Sequence, residues 1–169
     1  MSSQVNVPPG FTEVTPSLVV DGAMAAIGFY ERAFGAEEIM CTPTPDGKRV
    51  MQAAIRIGGA VVMLADAFPE FGSLPPKAFG GTAVSIHLYV NDVDDVFARA
   101  IEEGAMSVMP VTTMAWGDRC GRLMDPFGHH WSIATHAAPS VPSPPSPFDV
   151  MKASQEALFN LMKLTTPTK

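Results

Sequence analysis

The chain has 169 residues, 47% of them hydrophobic and 17% charged, with a formal net charge of −6. That is enough apolar material for one domain, or for two small units sharing a core. The acidic balance and the scattered lysines and arginines exclude an electrostatic footprint for nucleic acid or an anionic membrane. No apolar stretch approaches the ~20 residues of a membrane span.

Residues 1–14 (MSSQVNVPPGFTEV) lack the basic and apolar regions of a secretion signal, so a cytoplasmic location is expected. The two cysteines, Cys41 and Cys120, show no motif spacing and are read as reduced core or surface residues. Pro8, Pro9 and Gly10 make the first dozen residues a loose lead-in. Residues 15–20 (TPSLVV) read as a strand, with Leu18 and Val20 on one face and Thr15, Ser17 and Val19 on the other. Asp21 is placed to cap a helix over 23–34, whose buried stripe is predicted as Met24, Ile27, Tyr30 and Phe34, and Gly35 stops it. Gly28 within that helix suggests close packing on a neighbour. Strands are predicted at 37–42, 50–57 and 60–65, with a turn at 43–47 and Gly58-Gly59 as a two-residue hairpin loop.

Three prolines and three glycines in 66–82 exclude regular structure over most of that segment, which is read as a connecting loop. Its aromatic residues leave a second role open, closing over a site. The pattern then restarts. Residues 84–90 alternate as a strand, with Ser85, His87 and Tyr89 on one face. Asn91 or Asp92 begins a helix striped by Val93, Val96, Phe97, Ala100 and Ile101, and Gly104 follows it. Strands are predicted at 106–113, 121–124 and 130–135. Asp125-Pro126-Phe127-Gly128 has the composition of a β-turn. After that turn Trp131 and Ile133 share one face, and His130, Ser132, Ala134 and His136 share the other.

Both halves therefore read βαβββ, and local matches support a duplication. SLVVD at 17–21 aligns with HLYVN at 87–91, a shift of 70 residues. FGA at 34–36 aligns with EGA at 103–105, and Gly59 with Gly128, each at a shift of 69. Beyond His136 the composition changes. Residues 137–147 form a proline- and serine-rich linker, and 148–164 (FDVMKASQEALFNLMKL) a plausible amphipathic helix expected to dock on its own domain or on a second subunit.

A duplicated βαβββ chain with TPSLVVDGAMAAIGFYERAFGAEE, VVMLADAFPE, VSIHLYVNDVD and GDRCGRLMDPFGHHWSIATH resembles the vicinal oxygen chelate superfamily of glyoxalases, bleomycin-resistance proteins and dioxygenases. The likeness is to its PhnB-like, glyoxalase-like branch and covers residues 13–136. It implies an α+β fold, with modules 13–66 and 83–136, joined by loop 66–82, forming curved mixed sheets around a cavity. The linker 137–147 and the helix 148–164 follow. In metal-dependent relatives four His, Gln or Glu side chains hold the ion, one from the first and one from the fourth strand of each module. Alignment on Phe29-Tyr30 and on the repeat places these positions at Thr15, Met63, Ser85 and Ser132. Hydroxyls and a thioether are poor ligands for divalent transition metals, so no metal and no cofactor is expected. An atypical site on His87 and His130, with a hydroxyl between them, is the alternative, although a third protein ligand is not evident.

The expected cavity face thus carries Thr15, Ser17, Met63, Ser85, His87, Tyr89, His130 and Ser132. His87 and His130 are the candidate catalytic acid/base residues, because imidazole moves protons near neutrality. Their structural alternative is a histidine hydrogen-bonded to a neighbouring strand. His129 and His136 are expected in solvent. Trp116 and Arg119 are candidate ligand contacts by stacking and by a carboxylate or phosphate fork. Their alternative is turn structure with an Asp118–Arg119 surface pair. Two function classes stay open on this reading. One is a small-molecule lyase or isomerase acting without the usual metal. The other is a non-catalytic, bleomycin-resistance-type binder. A metal-dependent glyoxalase or dioxygenase with atypical ligands is the remaining alternative, and a homodimer is what the resemblance implies.

Overall fold

The computed structural model describes residues 6–136; the predicted linker at 137–147 and helix at 148–164 lie outside the described residues. The element order is β1 (Ser17–Val20), α1 (Ala23–Phe34), β2 (Glu37–Pro43), β3 (Val50–Ile57), β4 (Ala60–Asp66), β5 (Ser85–Tyr89), α2 (Val93–Glu102), β6 (Met106–Thr113), β7 (Arg119–Met124) and β8 (His130–Thr135). Two curved four-stranded sheets result, ordered β1-β4-β3-β2 and β5-β8-β7-β6. The repeat persists in the register. Ser17 pairs with Met63 in one parallel ladder, and His87 with Ser132 in the other.

Each sheet turns one face to a helix, and the two helices pack on each other. Leu18, Val20, Ile55, Leu64, Leu123, Trp131 and Ile133 fill the helix-facing side together with the aromatic residues of α1. The modules are tied through one buried carboxylate. Asp125, 2% exposed, accepts hydrogen bonds from the Tyr30 hydroxyl (2.6 Å) and Trp131 Nε1 (2.9 Å) through one oxygen. Its other oxygen takes the backbone N–H groups of Phe127 and His129, which fixes the turn that Gly128 closes onto the Asp125 carbonyl. Burial, and then the Asp125 charge, push the Tyr30 phenol well above its ordinary range, so it serves as a neutral donor.

Several expectations are corrected. Asp21 does not cap α1. The cap position is Gly22 at φ 97, and Asp66 Oδ1 accepts from the N–H groups of Gly22 (2.9 Å) and Ala23 (2.7 Å). A carboxylate three strands further along the chain, at the end of β4, has replaced the local one. Met24 leaves the buried stripe and is 60% exposed, because the face against the sheet runs through Ala26, Phe29, Tyr30 and Ala33. Gly28 makes no close approach to a neighbouring element, since a Cβ there would meet only the flexible Arg32 guanidinium of its own helix. On α2 the stripe is narrower than read, with Ile101 at 37% exposure. The first strand begins at Ser17 rather than residue 15, because Pro16 has no N–H to give an edge ladder. The seventh strand starts two residues earlier than predicted, at Arg119.

The connecting segment carries two short 3₁₀ turns, Pro69–Phe71 and Pro76–Phe79. Pro76 is buried against the Gly128 turn, where a Cβ on Gly128 would come within 3.3 Å of it. Gly128, at φ 96, therefore needs both its left-handed backbone and its missing side chain. Phe71 and Phe79 point outward, at 83% and 70% exposure, so these two rings do not close over either sheet. Among the described residues no helix is long and apolar enough to cross a membrane.

Candidate functional site

The concave faces lie opposite the helices. In the second sheet, register sets three transverse rows. Ser85, His130 and Met124 form one, His87, Ser132 and Arg122 the next, and Tyr89, Ala134 and Cys120 the third. Neighbours along a row are separated by the strand spacing of about 4.8 Å, and rows by about 6.6 Å. A cation, a hydroxyl and an imidazole thus stand in one line across β7, β8 and β5.

Ser132 is 8% exposed and lies 3.4 Å from the buried Cys120 thiol, while His87, Tyr89 and Arg122 are open to solvent. The His87 and Tyr89 rings meet edge to face with centroids 4.5 Å apart. At the end of this face Asp118, 6% exposed, receives His136 Nδ1 at 2.6 Å and the Tyr89 hydroxyl at 3.3 Å. The hydrogen bond from His136 holds the Asp118 carboxyl below the usual carboxylate range, and the Asp118 charge in turn raises the Tyr89 phenol.

The first sheet is different. The lead-in lies over its concave face, and Phe11, Thr15, Met40, Gln52 and Met63 help to line a largely apolar cavity of about 450 Å³. Thr15 and Met63 are thus brought together there. Ser85, His87, Tyr89, His130 and Ser132 share the open face of the second sheet. His130 also lines a smaller groove of about 230 Å³ between the β1 and β5 edges, with Ser17, Leu18, Ile86 and His129.

Trp116 sits in the β6–β7 loop, 64% exposed. Arg119 is directed at the α2 side, where it makes a two-pronged ion pair with Asp94 at 2.6 and 2.7 Å. The expected Asp118–Arg119 surface pair is therefore replaced by two others, Arg119–Asp94 and His136–Asp118. His129 is not free in solvent but half-buried, its Nε2 3.0 Å from the Val19 carbonyl. His136 keeps an exposed ring, 68% accessible, yet is anchored at Nδ1.

Sequence reasoning missed Arg122, Asp118 as an anchor, Gln52, and the lead-in as a cover. Arg122 was within reach. Strand alternation from Cys120 puts 122 on the face of Ser132, but beginning the strand at 121 hid the pattern.

The fit of a metal can be tested on the donor chemistry. The four positions that the resemblance assigns to metal ligands, Thr15, Met63, Ser85 and Ser132, carry two serine hydroxyls, a threonine hydroxyl and a thioether. Thr15 Oγ1 already donates to the Thr12 carbonyl at 2.9 Å, and the Ser132 hydroxyl is beside a thiol. Among the described residues no three His, Cys, Asp or Glu side chains gather closely enough to hold a metal ion. These residues do not fit the divalent ion of the metal-dependent members.

Comparison with known proteins agrees with the architecture. A model of the Glyoxalase/Bleomycin resistance protein/Dioxygenase superfamily matches residues 11–133. An uncharacterised protein of Mycobacterium tuberculosis is 48% identical over 132 residues, covering 76% of this chain and 75% of that one. An uncharacterised protein of Arabidopsis thaliana is 27% identical over 134 residues, covering 73% and 79%. Among solved structures, TioX from Micromonospora sp. ML1 matches with a TM-score of 0.58 at 27% identity, over 75% of this chain and 99% of that one. A PhnB protein from Bacillus cereus matches with a TM-score of 0.58 at 19% identity, over 73% and 99%, a likeness of fold. With its tandem βαβββ modules and their matching register, the chain belongs to the Glyoxalase/Bleomycin resistance protein/Dioxygenase superfamily.

Proposed function

We propose that the chain binds a small organic molecule against the concave face of its second sheet and acts on it as a lyase or isomerase without the superfamily's usual metal. The observation that carries this reading is the row His87–Ser132–Arg122, three polar groups in register on the face turned away from the helices. A guanidinium and a hydroxyl side by side suit a carboxylate or another anionic oxygen group on the ligand. His87, in the same row, and His130, in the adjoining one, are the proton-transfer candidates. Ser85 and Tyr89 complete the face, and Thr15 and Met63 line the counterpart cavity in the first module. Trp116 is an exposed ring for stacking. Arg119 contributes by holding β7 to α2. The reading includes no cofactor, a cytoplasmic setting and a homodimer.

A second reading, a non-catalytic binder, is favoured by the exposure of Tyr89 (59%) and Trp116, which would give a planar ligand ring surfaces without requiring chemistry. Metal analysis of protein purified without chelator is the first test. Stoichiometric zinc, nickel, manganese or iron would sink the metal-free reading and move attention to His87 and His130 as ligands. A thermal-shift screen of small organic acids then identifies ligands, and turnover assays on the hits separate enzyme from binder. His87→Ala with full turnover would remove that residue from the chemistry.

A further inference from the structure

The Asp118–His136 pair differs from an ordinary surface ion pair, in which both partners are exposed. Here the carboxylate is buried, with 9% of its side chain accessible, and the imidazole is 68% accessible. The contact uses Nδ1, at 2.6 Å, so Nε2 is left on the outer side of the ring. The second carboxylate oxygen is fixed independently by the Tyr89 hydroxyl at 3.3 Å. His136 follows Ser132 and Ala134 by strand alternation, so the ring lies at the end of the same concave face. The Tyr89 ring meets those of His87, 4.5 Å away, and His136, 6.4 Å away, both edge to face. A buried acceptor that fixes one imidazole nitrogen while the other stays open to solvent at the edge of a concave face is an arrangement that can orient a general base.

We propose that His136, oriented by Asp118, is a proton-transfer group on the concave face of the second sheet, acting on carbon acids, compounds whose C–H bond is acidified by an attached or adjacent carbonyl or C=N group. This rests on the reading that the face binds a small molecule, and adds a base to it other than His87 and His130. In the step, Nε2 takes the carbon-bound proton, and the C–H electron pair either moves into the adjacent unsaturated group as an enolate-type anion or forms a new π bond as a bond to a leaving oxygen breaks. The resulting imidazolium returns the proton to a second site or to solvent. No oxidant, reductant or further reactant is needed. Asp118 is a positioning residue, since it touches His136 and not the ligand.

The test uses the full chain and the probe 5-nitro-1,2-benzisoxazole. A base removes its C3 proton, the electron pair forms a nitrile, and the N–O bond breaks to release a coloured cyanophenolate. Binding is followed separately by amide chemical shifts along Ser85–Tyr89 and His130–Thr135. The expected result is saturable turnover above that of free imidazole at equal concentration. His136→Ala lowers kcat about 100-fold, and added imidazole restores part of it. Asp118→Asn lowers kcat with KM unchanged, and Asp118→Glu recovers activity, which a merely structural role would not produce. A rate no better than free imidazole, or one indifferent to His136→Ala, overturns the proposal, whether or not the shifts move. Shifts that do not move withdraw the ligand-binding reading as well, whereas shifts that move without turnover leave that reading standing.

Discussion

The two βαβββ modules share topology and register, and differ in where they place polar side chains. Asp66 and Thr135 occupy equivalent positions at the ends of β4 and β8, 69 residues apart. In module one Asp66 takes the N–H groups of Gly22 and Ala23 and, through its other oxygen, that of Val50 at 2.6 Å. In module two Thr135 takes only the Val93 N–H, at 2.8 Å, and the local residue Asp92 caps the helix by accepting from Asp95. The concave faces differ in composition and in cover. The first sets Met40, Ala54, Met63 and Ala65 among Ser17, Thr42, Gln52 and Arg56 and is covered by the lead-in; the second carries His87, His130, Tyr89, Ser132 and Arg122 and is open. The scaffold thus needs polar groups at helix starts and turns, where backbone donors must be met. The concave faces are under no such demand, and so their asymmetry is the better guide to function.

The strongest way to break the comparison is to remove the group that joins the modules. Asp125→Ala deprives Tyr30, Trp131 and two backbone N–H groups of their acceptor in the interior. With two or more donors left unsatisfied at about 1–3 kcal/mol each, a loss of about 3–5 kcal/mol is expected in urea unfolding. Tyr30→Phe should cost clearly less, because Trp131 Nε1 still satisfies the same oxygen. A loss below about 1 kcal/mol for Asp125→Ala would mean that apolar packing of Phe29, Phe34, Phe127 and Trp131 alone holds the halves together.

The helix starts give the next effect. Asp66→Ala orphans three N–H groups and is expected to cost about 2–3 kcal/mol, whereas Thr135→Val removes one acceptor and should cost about 1 kcal/mol. Equal losses in the two variants would show that the difference in bond number carries no energetic weight.

A third contrast lies in β7. Gly121 pairs with Ile133 as Ala53 pairs with Leu64, and Ile133 and Leu64 are 69 residues apart, so Gly121 and Ala53 are counterparts. Module one accommodates the methyl group, fully buried. In module two a Cβ at Gly121 would lie 2.8 Å from the Phe97 ring and 3.0 Å from Val111. Gly121→Ala should therefore cost about 1–3 kcal/mol by overpacking, read as a lower denaturation midpoint. A neutral result would mean that Phe97, which is only half-buried, swings aside.

Much of the scaffold was legible because it is written in local periodicity. The runs between turn residues gave β3 and β6 to the residue and alternation gave β8, and the repeat followed from Gly59, Gly128, the SLVVD and HLYVN segments and the two FGA-like helix ends. The features that escaped are those set by long-range partners. Nothing near Asp21 in sequence reveals that Asp66, 44 residues beyond Gly22, will supply the helix cap instead. Met24 obeys helical spacing and still lies outside, because spacing gives a stripe's period and not which way it faces. In the candidate site the alternating His130, Ser132 and His136 could be read directly. Whether His136 is anchored or free depends on Asp118, in the loop before β7.

The smallest effect concerns an interaction that only tertiary structure reveals, the two-pronged Arg119–Asp94 pair between β7 and the first turn of α2. The Arg119 guanidinium holds the Asp94 carboxyl below its usual range. Its contribution to stability is then fully present above the usual carboxylate pKa of about 4 and fades as pH falls through the depressed value. Both side chains are largely in water, where screening and side-chain entropy offset most of the attraction. A double-mutant cycle with Asp94→Asn and Arg119→Ala should give a coupling close to the resolution of the measurement at physiological salt, and none in 1 M salt. A large, salt-resistant coupling would instead assign the start of α2 to this pair rather than to Asp92 and Thr135. The second module would then anchor its helix by charge, as the first does through Asp66, and the contrast at the helix starts would disappear.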